Sequence, residues 1–393
     1  MKLAVVGFGN AGSKIADRLL AYEADTNRTL CRSVLAVNSA TIDLRKLEQV
    51  PQDRQILIGE TDERVQGHGA GADPEVGADI ARRDYREIER KLDAVPIHDV
   101  DAFLIVAGLG GGTGSGGAPV LASNLRDIYD EPVYGLGILP SADEGGRSAL
   151  NAARSLRSFA EATDNLLLFD NDAWREDGDT LAAGYERTNH EIVTRVGTLL
   201  AAGEYDDSTV SETAMDASDV KRTLATGGVS SIAYAEAALE EPTRNRQGLL
   251  GRFTDGEHAA VDDETTTKKI NGLVKQAVRS RLTCPADVES AERSLIVVSG
   301  PQREFSKKGL ERARRWVERQ TDSVEVLAGD DPREAASSLS AVVLLSNPTD
   351  VPRIDELQER AVDAKRNIER QASSRQREIQ ELLTDDEDEL DPL

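Results

Sequence analysis

Aromatic residues are scarce: Phe, Trp and Tyr together make up 4% of 393 residues. The core must therefore be built from Val, Leu, Ile and Ala. Only two cysteines are present, Cys31 and Cys284. That excludes a disulfide framework and a cysteine metal site, and both thiols read as reduced packing residues. No apolar run reaches the roughly 18 to 20 residues of a membrane span. The N-terminus starts on a strand, Lys2-Leu3-Ala4-Val5-Val6, and not on a signal-peptide core. These absences point to a cytoplasmic location. Positive charge is also short, with 71 acidic residues against 47 basic ones and a net charge of −24. Such a balance argues against a general nucleic-acid binder. The acids are spread along the chain, and arginine outnumbers lysine. This surface suits concentrated salt, where screening removes most self-repulsion, and reads as halophilic. The length suggests two domains with extensions.

The stretch that organises the chain is Gly108-Leu109-Gly110-Gly111-Gly112-Thr113-Gly114-Ser115-Gly116-Gly117. It follows an apolar run, 102–107, that reads as a buried strand, and precedes a helical pattern through Leu121, Ala122, Leu125 and Ile128. A flexible linker would not sit there. Glycines let the backbone turn sharply and approach a ligand, and the N–H groups at a helix start suit phosphate. Thr113 and Ser115 add hydroxyl donors. No Lys-Ser/Thr follows, so this is not a Walker A loop. A Cβ at Gly112 is expected to occupy phosphate space or to force a disallowed backbone.

Two further glycine loops precede it. Gly7-Phe8-Gly9-Asn10-Ala11-Gly12 lies between a strand and a helix, which alone suggests a dinucleotide site. That site wants an acid after the second strand, whereas Val34–Val37 ends in Asn38-Ser39. After a third strand, Ile56–Gly59, comes 67–77, with Pro74 placed to open a helix. His68 in this loop is isolated and reads as solvated. The loops together could cradle a chain of phosphates.

Strands at 133–139 and 165–169 follow, ending in 140–147 and in Asp170-Asn171-Asp172. The repeated order of strand, turn and helix implies an α/β fold with a doubly wound parallel sheet and helices on both faces. Ligands in such sheets bind at the strands' carboxyl ends. A long central helix runs from about Tyr185 to Ala202, with an apolar face of Ile192, Val193, Val196, Leu199 and Leu200. A polar loop spans 204–218. A smaller second α/β domain has a helix near 268–282, strands at 294–299 and 341–345, and an alternating strand at 323–327. Residues 239–259 read as a long loop. A charged helix covers roughly 355–383, whose simplest role is docking onto the second domain, and an acidic tail follows at 385–389. The expected divisions are 1–180, 181–204, 205–350 and 351–393.

The string GGGTGSG at 110–116 resembles the signature loop of the tubulin and FtsZ superfamily of polymerising GTPases, and Gly117-Ala118-Pro119-Val120 resembles its FtsZ version. The loop at 67–77 is similar to the FtsZ segment that senses the γ-phosphate. Tyr185-x-x-x-Asn189-His190 resembles the tubulin central helix, where the tyrosine stacks on guanine and the asparagine bonds it. The chemistry agrees, since an amide both donates and accepts and a ring stacks on a base. Glu144-Gly145 and Asn171-Asp172 resemble FtsZ residues that reach the ribose and nucleotide. Asp216-Ala217-Ser218-Asp219 resembles the loop that enters the next subunit's site. Two departures are present: Ser148 stands where FtsZ has arginine, with Arg147 one place earlier, and Ala214 replaces an asparagine. A tubulin-like central helix, an FtsZ-like third loop and an acidic composition together resemble the CetZ proteins of haloarchaea, linked to cell shape.

The resemblance implies a GTPase that assembles head to tail with copies of itself, binding GTP or GDP with Mg²⁺ bridging the β and γ oxygens. It assigns nucleotide contacts to Gly9, Asn10, Ala11, Ala70, Gly71, Ala72, Gly110, Gly111, Gly112, Thr113, Gly114, Ser115, Gly116, Glu144, Asn171, Tyr185 and Asn189. It assigns polarisation of the attacking water, from the neighbouring subunit, to Asp216 and Asp219. No side chain is assigned to the metal. The chain lacks a short C-terminal peptide like the one FtsZ uses to meet membrane anchors, so any membrane-associated adaptor stays unidentified. Alternatives are an FtsZ-like division protein, a GTP binder without hydrolysis, and a dinucleotide-dependent oxidoreductase.

Overall fold

The computed structural model describes residues 1–176, 178, 181–204, 215–239 and 263–384. All but the first residue of the loop expected at 239–259, most of that at 204–218 (Ala214 included) and the acidic tail lie outside the described residues.

In chain order the first half runs β1 (Leu3–Phe8), α1 (Gly9–Thr26), β2 (Cys31–Asn38), α2 (Thr41–Leu44), β3 (Gln55–Leu57), α3 (Pro74–Arg83) and α4 (Tyr85–Leu92). It continues through β4 (Ala102–Gly108), α5 (Thr113–Ile128), β5 (Val133–Leu139), α6 (Gly145–Ala162) and β6 (Asn165–Asp170). Then come α7 (Leu181–Leu200), α8 (Ala217–Leu224), β7 (Val229–Ala238), α9 (Asp263–Arg279), β8 (Arg293–Gly300), α10 (Lys307–Glu318), β9 (Glu325–Pro332), β10 (Ser338–Ser346) and α11 (Pro352–Thr384).

One sheet holds all ten strands in the order β3-β2-β1-β4-β5-β6-β7-β10-β8-β9. The first six are parallel. Along β1, Leu3 and Val5 enter one core while Ala4, Val6 and Phe8 enter another on the opposite face. β4 does the same, with Leu104 and Val106 against Phe103 and Ile105. Burial on both faces is why these strands read as unbroken apolar runs. Each fully buried Leu, Ile or Phe contributes about 1.5–3 kcal/mol.

β7 joins this sheet through two residue pairs, Leu166↔Val229 and Leu167↔Ser230. Beyond it β10 runs antiparallel to both neighbours and β9 parallel to β8. This second domain has its own core, with Ile270, Val274, Ile296, Leu310 and Val343. α7 lies between the two. Its predicted face is buried and shares one cluster with Ile15 and Leu19 of α1 and with Leu295 and Leu344 of the second domain.

Three expectations shift. The third strand stops at Leu57, and Gly59 turns the chain with φ +74°. The strand expected at 323–327 starts at Glu325 and runs on to Pro332, leaving Val324 80% exposed. The last helix docks on α6 and not on the second domain: Leu357, Ala361 and Ala364 are buried, and a Cβ on Gly146 would lie 2.9 Å from Ala364. Its predicted stripe then leaves the body, with Ile368, Ile379 and Leu382 at 44%, 51% and 71% exposure.

Candidate functional site

The carboxyl ends of β1, β4, β5 and β6 open into a cavity of about 640 Å³. It gathers Gly9, Asn10, Ala11, Ala70, Gly71, Ala72, Gly110, Gly111, Gly112, Thr113, Gly114, Glu144, Asn171, Tyr185 and Asn189. A larger cleft of about 950 Å³, between the far end of α1, α7 and the second domain, holds none of the glycine loops. The smaller cavity is the chemically organised one, because two helix N-termini and three loops converge on it.

The loops are fitted to one another. Gly9 has φ +74°, and a Cβ on it would lie 2.8 Å from the Gly114 nitrogen. The starts of α1 and α5 therefore touch. The third loop ends at Asp73, which caps α3 by accepting from the N–H groups of Glu75 at 2.9 Å and Val76 at 3.4 Å, with Pro74 as first helical residue. Asn151 joins this loop to the main one. Its Nδ2 donates to the carbonyls of Ala72 (2.9 Å), Gly110 (3.2 Å) and Gly111 (3.3 Å). Drawing the Gly110 and Gly111 carbonyls back onto α6 leaves the N–H groups of those two peptides on the opposite side, whereas the Asp73 N–H bonds the Ala70 carbonyl at 2.9 Å. Sequence reasoning missed Asn151; the available signal was a polar residue beside the buried stripe Ala149, Ala152 and Leu156.

One glycine-loop expectation is corrected. Gly112 has φ −99°, an ordinary backbone, and its Cβ would meet the Asp73 nitrogen at 2.7 Å and Ala70 Cβ at 3.0 Å. A side chain there would point at the third loop, although Gly112 itself lines the cavity. A Cβ on Gly111 meets nothing within 4 Å. Ser115 and Gly116 lie outside the cavity lining, and the Ser115 hydroxyl donates to the carbonyls of Gly111 and Gly112 within its own loop. Thr113 is tied to Ser39, Oγ1 to Oγ, at 2.6 Å.

Asn38, read from sequence only as a missing acid, lines the cavity. Its Oδ1 accepts from the N–H groups of Ser39 and Ala40, and its buried Nδ2 has no protein partner. This leaves an amide donor in the wall. His68 also lines the cavity, its backbone bridged to Ala40. Arg147 faces a separate groove with Asp73, Glu75 and Arg154.

The other half of the cavity is side chain. Tyr185 and Asn189 lie one turn apart on α7. Burial, and then the neighbouring Glu144 carboxylate, push the Tyr185 phenol up. Glu144 Oε1 accepts the Ser141 N–H at 3.0 Å. Among the lining residues Lys14 is the single Lys or Arg, against Asp43, Glu144 and Glu186. Anionic groups held here are met by backbone donors and need a further cation to offset their charge. Among the described residues no group of three or more His, Cys, Asp or Glu could hold a metal ion. A cation would be held mainly by the ligand's own oxygens and water, as suits Mg²⁺.

Asp216 and Asp219 are not in this cavity. Asp216 caps α8, accepting from Ser218 N–H at 2.7 Å and Asp219 N–H at 3.1 Å, and Asp219 accepts the Asp216 N–H at 3.2 Å. This is a reciprocal capping box. Met215 packs beside Gly203, past the C-terminal end of α7, whereas Tyr185 is near its start. At 1.5 Å per residue the helix separates the two by roughly 25 Å.

Comparison with known proteins fits this architecture. A family model described as the tubulin/FtsZ family GTPase domain matches residues 2–179, and one described as the tubulin-like CetZ C-terminal domain matches 178–363. The chain belongs to the CetZ family of tubulin-like proteins. The tubulin-like protein CetZ1 of Haloferax volcanii is 50% identical over 94% of each chain. The GDP-bound monomer of that organism's CetZ1 superposes with a TM-score of 0.82 at 47% identity, covering 93% of this chain and all of that one. Its CetZ2, solved as a GTPγS-bound protofilament, gives 0.81 at 38% identity, covering 94% of this chain and all of that one. No helix among the described residues is long and apolar enough to cross a membrane.

Proposed function

We propose that this CetZ-family chain binds GTP in the 640 Å³ cavity, assembles head to tail into protofilaments, and hydrolyses GTP once a second subunit completes the site. The observation that carries this reading is the division of labour along α7. Tyr185 and Asn189 at one end share a cavity with three phosphate-suited loops, while Asp216 and Asp219 cap a helix beyond the other end. A guanine edge suits the Asn189 amide and a base plane suits the Tyr185 ring. The β- and γ-phosphates suit the N–H groups of 9–11, 70–72 and 110–114, with the Asn38 amide beside them. Mg²⁺ would bridge the phosphate oxygens and neutralise charge that develops on them.

Asp216 and Asp219 are too far along α7 to serve their own γ-phosphate, so they act on the nucleotide of the subunit stacked against that end. A contact between unlike ends repeats without closing and makes a filament. The capping box gives the two carboxylates a fixed geometry, which suits holding a water. The proposed divisions are the nucleotide domain 1–180, the central helix 181–204, the activation domain 205–350 and the extension 351–393. The likeness to CetZ supports a cytoplasmic role in archaeal cell shape.

The test is assembly and phosphate release in concentrated salt, with GTP against GDP, over a range of protein concentrations. Release per subunit should rise with concentration and pelleting should need GTP. Asp219→Ala should keep nucleotide binding, lose hydrolysis and give longer-lived filaments. Mixing it with a binding-defective Gly111→Val subunit, which still carries Asp219, should restore some activity. Full hydrolysis by Asp219→Ala alone at every concentration would defeat the assignment in trans.

A further inference from the structure

One guanidinium ties the last helix to both loops on the side-chain half of the cavity. Arg353, in the first turn of α11, is 4% exposed. Its Nε donates to Asp170 Oδ1 at 3.0 Å and its Nη2 to the Pro140 carbonyl at 3.0 Å. Asp170 ends β6 and Pro140 follows β5, so this one side chain bridges the carboxyl ends of adjacent strands. The Asp170 carboxylate also shapes the turn that carries Asn171, accepting from the N–H groups of Asp172 and Ala173, both at 3.2 Å. Asp172 in turn accepts the Ala142 N–H at 2.6 Å. About two turns along α11, Arg360 donates to the Ala142 carbonyl at 2.8 Å. The contacts close a ring from α11 through both loops and back, and Glu144 lies two residues beyond Ala142.

A buried ion pair is a poor source of stability, because desolvation offsets most of its attraction. A planar guanidinium with two acceptors at fixed angles is a good source of geometry. We propose that Arg353 is a positioning residue for the nucleoside half of the ligand. Through Arg353, and less strongly Arg360, α11 sets the loops that present Glu144 and Asn171, while Asn151 ties the phosphate loops to one another. This rests on the guanine-nucleotide reading of the cavity.

The experiment compares GDP with inorganic tripolyphosphate by calorimetry, and adds amide hydrogen exchange on the nucleotide-free protein. Arg353→Met should bind GDP at least tenfold more weakly than the unmodified protein while binding tripolyphosphate equally well. Amides of 141–144 and 170–173 should exchange faster, and those of 110–114 should not change. Arg353→Lys, which keeps the charge but not the fork, should fall between. Unchanged GDP affinity in folded Arg353→Met, or equal losses for both ligands, would overturn the proposal. Should Arg353→Met fail to fold, Arg353→Lys and the outlying Arg360→Met carry the same comparison with a smaller ratio. If the unmodified protein binds no GDP, the guanine reading falls. The exchange comparison still decides whether Arg353 holds the two loops: faster exchange supports it and unchanged exchange overturns it.

Discussion

On the side of the cavity proposed for the phosphates the wall is backbone. Gly9 to Ala11, Ala70 to Ala72 and Gly110 to Gly114 sit at helix starts, and short strings of glycine and small residues shape them. On the side proposed for the nucleoside the wall is side chain. Glu144, Asn171, Tyr185 and Asn189 come from three separate segments, and their loops are steadied by Arg353, 183 and 213 positions away from the groups it meets. On the first side a Cβ at Gly9, Gly112 or Gly114 would strike neighbouring backbone, and one at Gly111 would enter open space, so change at the glycines is costly. The second side is built from replaceable contacts, so damage there is graded and selective. Affinity is thus expected to be lost wholesale on one side and in discriminating steps on the other.

The largest effect should come from Gly111→Val. Its Cβ points into open space in a cavity the proposed phosphates fill, so nucleotide binding should drop at least ~100-fold, about 2.8 kcal/mol, with little change in melting temperature. Gly112→Val should instead lower the melting temperature, because its Cβ meets the backbone of Asp73 at 2.7 Å. A fluorescent GTP analogue and a thermal melt on the same samples separate the two. If Gly111→Val binds normally, the main loop is not the cradle.

Asn151→Ala strands three carbonyls and should cost about 1–3 kcal/mol in stability. It should weaken GTP and tripolyphosphate alike, since it acts on the phosphate side. A loss confined to GTP would blur the contrast between the two halves.

Asn189→Leu should weaken GTP by about 1–3 kcal/mol while leaving tripolyphosphate unchanged, and should narrow the preference for GTP over ATP. Competition binding with both nucleotides reads this directly. Equal affinity for the two in the unmodified protein would remove Asn189 and Tyr185 from base recognition.

The smallest effect concerns pH. Asp62 steadies the approach to the third loop, with Arg64 at 2.9 Å and Arg83 of α3 at 2.9 Å. The side-chain hydrogen bond from Arg64, then its backbone N–H, hold the Asp62 carboxyl well below its ordinary value of 3.8. A carboxylate depressed in the fold adds stability above its unfolded pKa, and that stability is lost as pH falls through the folded value. Urea melts should therefore weaken below about pH 4. Asp62→Asn should lower stability slightly near neutrality and flatten that acid limb. A limb of unchanged slope in Asp62→Asn would assign it to other carboxylates.

Legibility followed the same division. The glycine loops at 9–12 and 110–114 were readable because a helix start with unpaired N–H groups and a close backbone approach needs glycine within a few residues. The face of α7 was readable because burial on one side of a helix repeats every 3.6 residues. The direction of the Ser115 hydroxyl was not readable, because in a string the same group serves a ligand or its own loop equally well. Asn38 and Asn151 were passed over because an asparagine announces no direction until its neighbours are known.

Local chemistry in the sequence by itself determined that buried parallel strands alternate with helices, that three loops suit phosphate, and that the surface carries a large negative charge. These follow from spacing and composition, which act over a few residues or sum over all of them. Only the tertiary structure decided that a Cβ on Gly112 but not on Gly111 would strike the third loop, that Asn151 binds two loops together, that Asp216 and Asp219 lie beyond the far end of α7, and that Arg353 reaches both β5 and β6. Each of those depends on the direction of a side chain or a Cβ between segments distant in the chain. Direction is set by how the helices pack on the sheet, and no local string encodes it.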